Sequence, residues 1–288
     1  MTMLAGKVVL LTGASRGIGR VIAQKLAEEQ AIVVGVARSQ HGLEALCQTI
    51  QDAGGKATGI AWDLSDIHLL SDLIAQVEAQ VGAVDILINN AGLEIYRAFQ
   101  DYSAAELQAV LNVNLLAAME LARLVLPGMI QRQSGHLVNI ASNAAKKGHP
   151  FDSVYSASKA GLLMWGDAVR QELRHTDVAI STLCPGYVEQ CGMLVDTGVP
   201  APQLAGTSTP EAVAAAVIHA IQYNQAEIVI NKDVVSAHIT KLMFALCQFS
   251  PRLGDAIYRA IGIPQLNQRR IEHRRQSPRS PQPEFVKD

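Results

Sequence analysis

The sequence has few cysteines and no long apolar run. Its four cysteines form no CxxC pair, so we expect neither a disulfide framework nor a metal site, and a reducing compartment fits best. No run of 18 apolar residues occurs, which argues against a membrane-spanning helix. The first residues lack the charged and apolar regions of a signal peptide. We therefore expect a cytoplasmic protein with no transmembrane segment.

Charge is also scarce and nearly balanced. Charged residues make up 17% of the 288-residue chain, with 24 basic and 26 acidic side chains and a net charge of −2. This balance argues against nucleic acid or an anionic membrane as the main partner. The 49% of hydrophobic residues excludes disorder of the whole chain. Residues 267–288 differ, with six basic and three acidic residues beside Pro and Ser, and we expect them to form a basic, flexible tail.

Short apolar runs alternate with longer segments of helical periodicity. Residues 7–12 form one such run, the segment 18–29 that follows has helical spacing, and the seventh run is Glu227–Ile230. Uninterrupted apolar strands separated by helices predict a parallel sheet covered on both faces. We expect an α/β fold: one doubly wound, Rossmann-like domain of about seven strands over residues 1–266, with a C-terminal elaboration from about residue 233.

Two segments depart from this alternation. Residues 188–208 are rich in Gly, Pro and Thr and are long for a connection, which favours a functional lid. Beyond the last strand, an apolar stripe recurs at helical spacing, and it is expected to be core or a wall of the substrate cleft, with a membrane-surface helix as the alternative. The stripe consists of Ile239, Leu242, Met243, Leu246 and Phe249.

A glycine-rich turn lies between the first strand and the first helix. Gly13, Gly17 and Gly19 follow Thr12 in a GxxxGxG pattern. Glycine allows backbone N–H groups to approach a pyrophosphate, and the helix N-terminus adds partial positive charge. The turn also contains a GxSxG hydrolase pattern around Ser15. Too little chain precedes Ser15 to complete an oxyanion hole, so we reject the hydrolase interpretation.

The end of the second strand predicts the cofactor. An acidic residue there would bind the free ribose of NAD, but the sequence has Ala37-Arg38-Ser39. Arg38 can pair with a 2′-phosphate, and Arg16 of the glycine turn can reach the same group. The charges therefore favour NADP(H) over NAD(H).

A tyrosine and a lysine one helical turn apart supply acid–base chemistry. Tyr155 and Lys159 share a helix face, and an adjacent ammonium is expected to lower the pKa of the tyrosine. Ser142 follows the fifth strand, and Asn89-Asn90-Ala91-Gly92 ends the fourth. These groups meet at the carboxyl edge of the sheet, where open parallel sheets bind ligands.

In this set of motifs, the sequence resembles the short-chain dehydrogenase/reductase family, in its NADP-preferring branch. The resemblance covers about residues 5–232 and implies four catalytic residues, Asn114, Ser142, Tyr155 and Lys159. It implies that Tyr155 donates a proton to a carbonyl oxygen, Ser142 orients that oxygen, Lys159 assists Tyr155 and Asn114 positions a water.

The cofactor-binding residues follow from the same motifs. They are Thr12, Gly13, Ser15, Arg16, Gly17, Ile18, Gly19, Arg38, Asp63, Asn90, Ala91, Gly92, Tyr155, Lys159, Pro185, Gly186 and Val188. One departure from the family pattern is Gln190, at the position of a threonine that holds the nicotinamide carboxamide. The resemblance also implies a homodimer or homotetramer.

The sequence thus predicts an oxidoreductase that transfers hydride between NADPH and a small-molecule carbonyl or alcohol. The substrate is a ketone or aldehyde, and a carrier-bound 3-oxoacyl chain is the alternative within enzymes. A non-catalytic NADP-binding sensor is the alternative outside them. His149 and Glu94 lie near the expected substrate position. We expect His149 to be solvated, and Glu94 is as readily a surface carboxylate as a pocket residue.

Overall fold

The computed structural model describes residues 2–202 and 206–276. Its strands are β1 (Val8–Thr12), β2 (Ile32–Ala37), β3 (Lys56–Ala61), β4 (Ile86–Asn89), β5 (Gly135–Ile140), β6 (Val178–Pro185), β7 (Tyr187–Val188), β8 (Thr207–Ser208) and β9 (Glu227–Ile230). Seven of them form one parallel sheet in the order β3-β2-β1-β4-β5-β6-β9, and β7 pairs with β8. The predicted seven-stranded, doubly wound fold is confirmed.

Helices cover both faces of the sheet. They are α1 (Gly17–Glu28), α2 (Gln40–Asp52), α3 (Leu70–Gln80), α4 (Ala104–Leu111), α5 (Ala117–Gln131), α6 (Ser153–Glu172), α7 (Met193–Asp196), α8 (Pro210–Tyr223), α9 (Val234–Phe249), α10 (Pro251–Ala260) and α11 (Ile263–Gln276). Strand order reverses between β1 and β4, so the crevice at their carboxyl ends is the expected ligand site.

The strands read as unbroken apolar runs because both of their faces are buried. Successive side chains of a strand point to opposite faces. Val9 and Leu11 of β1 pack in the core that contains α1 and α8. Val8 and Leu10 pack in the core that contains α3 and α5. The two cores fix β1, and with it the turn that follows Thr12.

The helix predicted near residues 104–126 is interrupted. A π-helical turn, Asn112–Leu116, separates α4 from α5, and such turns occur often at functional sites. The stretch 104–131 is long and apolar enough to cross a bilayer by length and composition alone. Leu121 and Val125 are buried in a core against the sheet, as in the core helix of a globular fold.

The C-terminal elaboration consists of α9, α10 and α11, and the expectation of a flexible tail from residue 267 is wrong for its first ten residues. Residues 267–276 belong to α11, and Asn267 and Arg270 are buried, so they are not a flexible tail. That expectation rested on the polar composition of the segment, but Asn267 and Arg270 pack inside the fold despite being polar. The rest of the predicted tail, residues 277–288, lies outside the described residues.

The apolar stripe of α9 is mostly exposed instead of forming core. Phe249 is 91% exposed and Leu242 63%, because α9 packs through Phe244 and Cys247. Ile239 and Met243 nevertheless line the main cavity, so the expectation of a cleft wall holds for these two residues. In the predicted lid, residues 203–205 lie outside the described part.

A buried histidine makes stability depend on pH. His136 of β5 lies 2.8 Å from Ser181 Oγ, and burial lowers its pKa to about 4. Between that value and the unfolded-state pKa near ~6.5, the unfolded chain binds more protons, so stability falls as pH falls. We expect the free energy of unfolding to drop by up to about 3 kcal/mol from pH 6.5 to 4.

Urea titrations across this pH range test the assignment. His136→Asn should remove part of the pH dependence, and His149, whose pKa is also lowered to about 4, should account for a further part. An unchanged slope in His136→Asn would assign the pH dependence to other groups.

Candidate active site

A cavity of about 730 Å³ opens at the carboxyl edge of the sheet. The β1–α1 turn, the ends of β2 to β6 and the elaboration all contribute to its wall. Every predicted site residue is described, and all except Thr12 and Asn114 line this cavity. The predicted site residues therefore come together at one cavity, and Thr12 and Asn114 are buried close to it.

The glycine turn forms a cradle that a larger residue would fill. Gly13 and Gly17 have φ of 68° and 59°, a conformation that side chains with a Cβ rarely adopt. A Cβ on Gly19 would lie 2.1 Å from the Gly13 backbone oxygen. Helix α1 begins at Gly17, with its free N–H groups at the cavity. These features fit the pyrophosphate of a dinucleotide.

Thr12 and Asn90 hold this cradle together. The Thr12 hydroxyl accepts hydrogen bonds from the backbone N–H groups of Asn90 and Ala91, each at 3.0 Å. Asn90 Nδ2 donates to the backbone oxygens of Thr12 and Gly13 at 2.9 and 3.2 Å. Thr12 is 2% exposed, so it fixes the turn from below and does not form the cavity surface.

Two arginines and an aspartate mark the adenosine end of the cavity. Arg38 follows β2, is exposed and lines the cavity. Arg16 pairs with Asp196 of α7, which joins the glycine turn to the lid. Asp63, after β3, accepts a hydrogen bond from the Ser65 backbone at 2.9 Å. A positive group at the end of β2 suits a 2′-phosphate.

Tyr155 and Ser142 lie together at the reactive end. Tyr155 is 9% exposed, and the Ser142 side chain is near enough to its hydroxyl to lower the Tyr155 pKa against the effect of burial. Lys159 Nζ lies 5.7 Å from the centre of the Tyr155 ring and donates to the Ile140 backbone oxygen at 2.8 Å. Helix α6 therefore presents both residues to the cavity, as their spacing predicted.

The expected lowering of the Tyr155 pKa is wrong for this structure. Burial raises that pKa well above its usual value, and the carboxyl groups of Glu94 and Asp152 add to the effect. Lys159 is directed to a carbonyl instead of the phenol, and burial lowers its own pKa to about 8. Tyr155 is therefore protonated at neutral pH, which suits a proton donor.

Asn114 connects the π-helical turn to the substrate side of the site. Its Nδ2 donates to the Leu93 backbone oxygen and to Ser158 Oγ, each at 2.9 Å, and its Oδ1 accepts from the Leu93 N–H at 2.7 Å. The two bonds to Leu93 restrain the segment after Gly92, and the bond to Ser158 ties the π-helical turn to α6. The side chain is 1% exposed, so its contribution is to position neighbouring groups.

Several cavity residues were missed or misjudged from the sequence. His149 lines the cavity and stacks on Tyr187 at 6.0 Å, so the expectation of a solvated histidine is wrong. Glu94 lines the cavity near the fully buried Asp152, and each of the two carboxyl groups affects the pKa of the other. Burial raises the pKa of both carboxyl groups. No sequence motif contains His149, Glu94 or Asp152. The only signal in the sequence is their position, because Glu94 follows Gly92 closely and the other two residues precede Tyr155 closely.

The end of β6 and the segment after it contain three of the predicted cofactor contacts. Pro185, Gly186 and Val188 line the cavity. Gln190 is exposed, has φ of 75° and is not among the described residues that line it. Gln190 is therefore poorly placed to replace the usual threonine.

Comparison with known proteins identifies the family. The sequence profile described as short chain dehydrogenase matches residues 7–198. The chain belongs to the short-chain dehydrogenase family. It is 56% identical to the ketoacyl reductase HetN of Nostoc sp. over 274 residues, which cover 95% of this chain and 96% of that protein.

Two further relatives agree with this assignment. The 3-oxoacyl-[acyl-carrier-protein] reductase FabG of Vibrio harveyi is 32% identical over 186 residues, covering 65% of this chain and 75% of that one. A metagenomic short-chain oxidoreductase solved in complex with NADP has a TM-score of 0.70 and 34% identity, covering 81% of this chain and 100% of that one. The chain is therefore an oxidoreductase that acts on carbonyl or CH–OH groups with a nicotinamide cofactor.

Proposed function

We propose that this short-chain dehydrogenase reduces 3-oxoacyl thioesters to 3-hydroxyacyl thioesters with NADPH. The observation that carries the proposal is that Tyr155 and Ser142 line the same cavity, which the elaboration extends with apolar side chains. The names of the two curated relatives favour a 3-oxoacyl chain over other ketones and aldehydes.

The residues of the chain suit the reduction direction. When bound, the nicotinamide supplies the hydride. Tyr155, protonated because its pKa is raised, donates a proton to the carbonyl oxygen, and Ser142 donates a hydrogen bond that orients it. Lys159, with a pKa of about 8, can lose and regain a proton near neutral pH and so return one to Tyr155. Asn114 keeps the segment beside Lys159 in place and positions the water that supplies this proton.

Apolar residues provide room for an acyl chain. Those that line the cavity from the lid and the elaboration are Leu194, Ile239, Met243, Phe244, Ile261 and Ile263. Burying each methylene of a substrate stabilises the complex by about 0.8 kcal/mol. A longer chain should therefore bind more tightly until this wall is filled.

Steady-state kinetics with NADPH test the substrate class. We expect kcat/KM to be highest for 3-oxoacyl thioesters, lower for unfunctionalised ketones and aldehydes, and to rise with chain length. Equal or higher values for simple aldehydes would contradict the proposal. Tight NADPH binding without turnover of any carbonyl would instead favour the sensor interpretation.

The preference for NADPH has its own test. Since a hydrogen bond to a charged group contributes about 1.5–3 kcal/mol, Arg38→Asp should raise the KM for NADPH by about 10- to 100-fold. The KM for NADH should change far less. The matched control is Arg174→Asp, an exposed arginine that does not line the cavity. Equal effects of Arg38→Asp on both cofactors would contradict the 2′-phosphate assignment.

We also propose a cytoplasmic homodimer or homotetramer. The expected contact is the surface of α4, α5 and α6, where Met164 is 60% exposed. Light scattering coupled to gel filtration would give the mass in solution, and a monomer at micromolar concentration would contradict this part of the proposal.

A further inference from the structure

Arg270 is a buried cation at the substrate cavity. It lies on α11, is 2% exposed and lines the same cavity as Ser142 and Tyr155. Its guanidinium carbon lies 5.0 Å from the centre of the Tyr96 ring and 5.2 Å from that of Tyr187. The two rings hold the guanidinium between them and restrict its orientation.

The hydrogen-bond partners of Arg270 are all neutral. Nη1 donates to Asn267 Oδ1 at 2.6 Å and to the Tyr96 hydroxyl at 3.3 Å, and Nη2 donates to the Pro200 backbone oxygen at 3.3 Å. No carboxylate in the described ranges lies within the 4.0 Å of an ion pair. Among the residues that the structure describes, none is a hydrogen-bond partner of the buried Nε–H. A buried charge left unpaired in this way is costly.

The nearby acidic groups compensate this charge only indirectly. The Tyr96 hydroxyl donates to Glu94 Oε1 at 2.9 Å, so one hydroxyl separates the Glu94 carboxyl from Arg270. Burial raises the pKa of Glu94 and of Asp152, and the neighbouring Glu94 carboxyl raises the pKa of Asp152 further, which favours a protonated Asp152. The pair therefore carries less negative charge than two free carboxylates, and the guanidinium retains capacity for an acceptor.

We propose that Arg270 binds the oxygen of the substrate's acyl group, while Tyr155 and Ser142 hold the ketone oxygen of the same substrate molecule. The planar fork of a guanidinium suits a carbonyl or carboxylate oxygen better than a lysine ammonium does. A bound acyl oxygen would accept a hydrogen bond from the part of the guanidinium that lines the cavity, and it fixes which carbonyl of a dicarbonyl substrate faces Tyr155. This inference rests on the proposed function and names a specificity-determining residue for it.

Three substrates of matched length show whether the oxygen that Arg270 binds can come from a thioester, from a free carboxylate, or from both. They are a 3-oxoacyl thioester, the free 3-oxo acid, and the ketone that lacks the acyl group. Arg270→Met should lower kcat/KM for the two acyl substrates by about 10- to 100-fold, as expected for loss of a hydrogen bond to a charged group, and leave the ketone nearly unchanged. Arg270→Lys should recover more activity on the acid, which carries a full charge, than on the thioester.

The matched control is Arg269→Met on the same helix, because Arg269 is exposed. It should leave all three substrates unchanged. Equal losses on the three substrates in Arg270→Met would mean that Arg270 only anchors α11, and no loss on any would mean that it does not contact substrate. Either result overturns the inference. Thermal unfolding of each variant checks that the fold is retained.

A wild-type preference for simple ketones would refute the proposed function, and the role of Arg270 would then be tested by inhibition. A short, non-reducible carboxylate such as butanoate should inhibit ketone reduction competitively in the wild type and in Arg269→Met, and not in Arg270→Met. Inhibition that is absent, or identical in all three proteins, overturns the role of Arg270 independently.

Discussion

Replacing Tyr155 by phenylalanine should lower kcat for carbonyl reduction by about 100- to 10,000-fold, the range that general acid catalysis contributes. The change removes the hydroxyl that lies with Ser142 at the cavity wall and leaves the aromatic ring in place. NADPH should still bind, because the cradle that holds the pyrophosphate is formed by other residues, and only the predicted contact of the Tyr155 hydroxyl with the cofactor is lost. Stopped-flow absorbance at the NADPH band and fluorescence titration measure the two quantities separately.

The control for this variant is Tyr223→Phe. Tyr223 is 55% exposed and lies at the end of α8, outside the cavity, so its loss of a hydroxyl should leave kcat unchanged. If Tyr155→Phe kept full activity, the proton would have to come from another group. The assignment of Tyr155 would then be wrong.

Replacing Gly19 by alanine should weaken NADPH binding strongly and lower stability at the same time. The new Cβ would lie 2.1 Å from the Gly13 oxygen and 2.6 Å from Asn90 Nδ2, and both atoms belong to rigid parts of the cradle. Overpacking of this kind costs about 1–3 kcal/mol or more. Movement of the Gly13 backbone also displaces the N–H groups that face the pyrophosphate, so we expect a loss in affinity of about 100-fold, which corresponds to about 2.7 kcal/mol.

Gly148→Ala provides the comparison, since a Cβ there would meet no atom within 4 Å. Urea unfolding and NADPH titration of both variants distinguish a local clash from a general sensitivity to losing glycine. Similar behaviour of the two variants would contradict the account of the cradle. Normal cofactor binding by Gly19→Ala would contradict it as well.

The sequence predicted the sheet and the cofactor edge because both follow local rules. Strands buried on both faces are continuous apolar runs, as in β1 with its five buried residues. Glycine at a turn with positive φ, as at Gly13 and Gly17, has few substitutes. Helical spacing alone placed Tyr155 and Lys159 on one face.

What the sequence did not predict depends on contacts between distant segments. The burial of Arg270 requires the rings of Tyr96 and Tyr187 on either side, and no local pattern links these residues to α11. The raised pKa of Tyr155 arises from burial and from carboxyl groups elsewhere in the fold. The π-helical turn at Asn114 has no compositional signal, since its residues are ordinary helix formers and asparagines.

Transfer of an isotopic label tests the central claim most directly. NADPH carrying deuterium at nicotinamide C4, on one face and then on the other, is incubated with the protein and a 3-oxoacyl thioester, and the product is analysed by mass spectrometry. We predict a 3-hydroxyacyl thioester with one deuterium on C3 from one of the two labelled faces, and loss of this product in Tyr155→Phe. Unlabelled product from both cofactors, or no product beside tight NADPH binding, would contradict direct hydride transfer to the 3-oxo group.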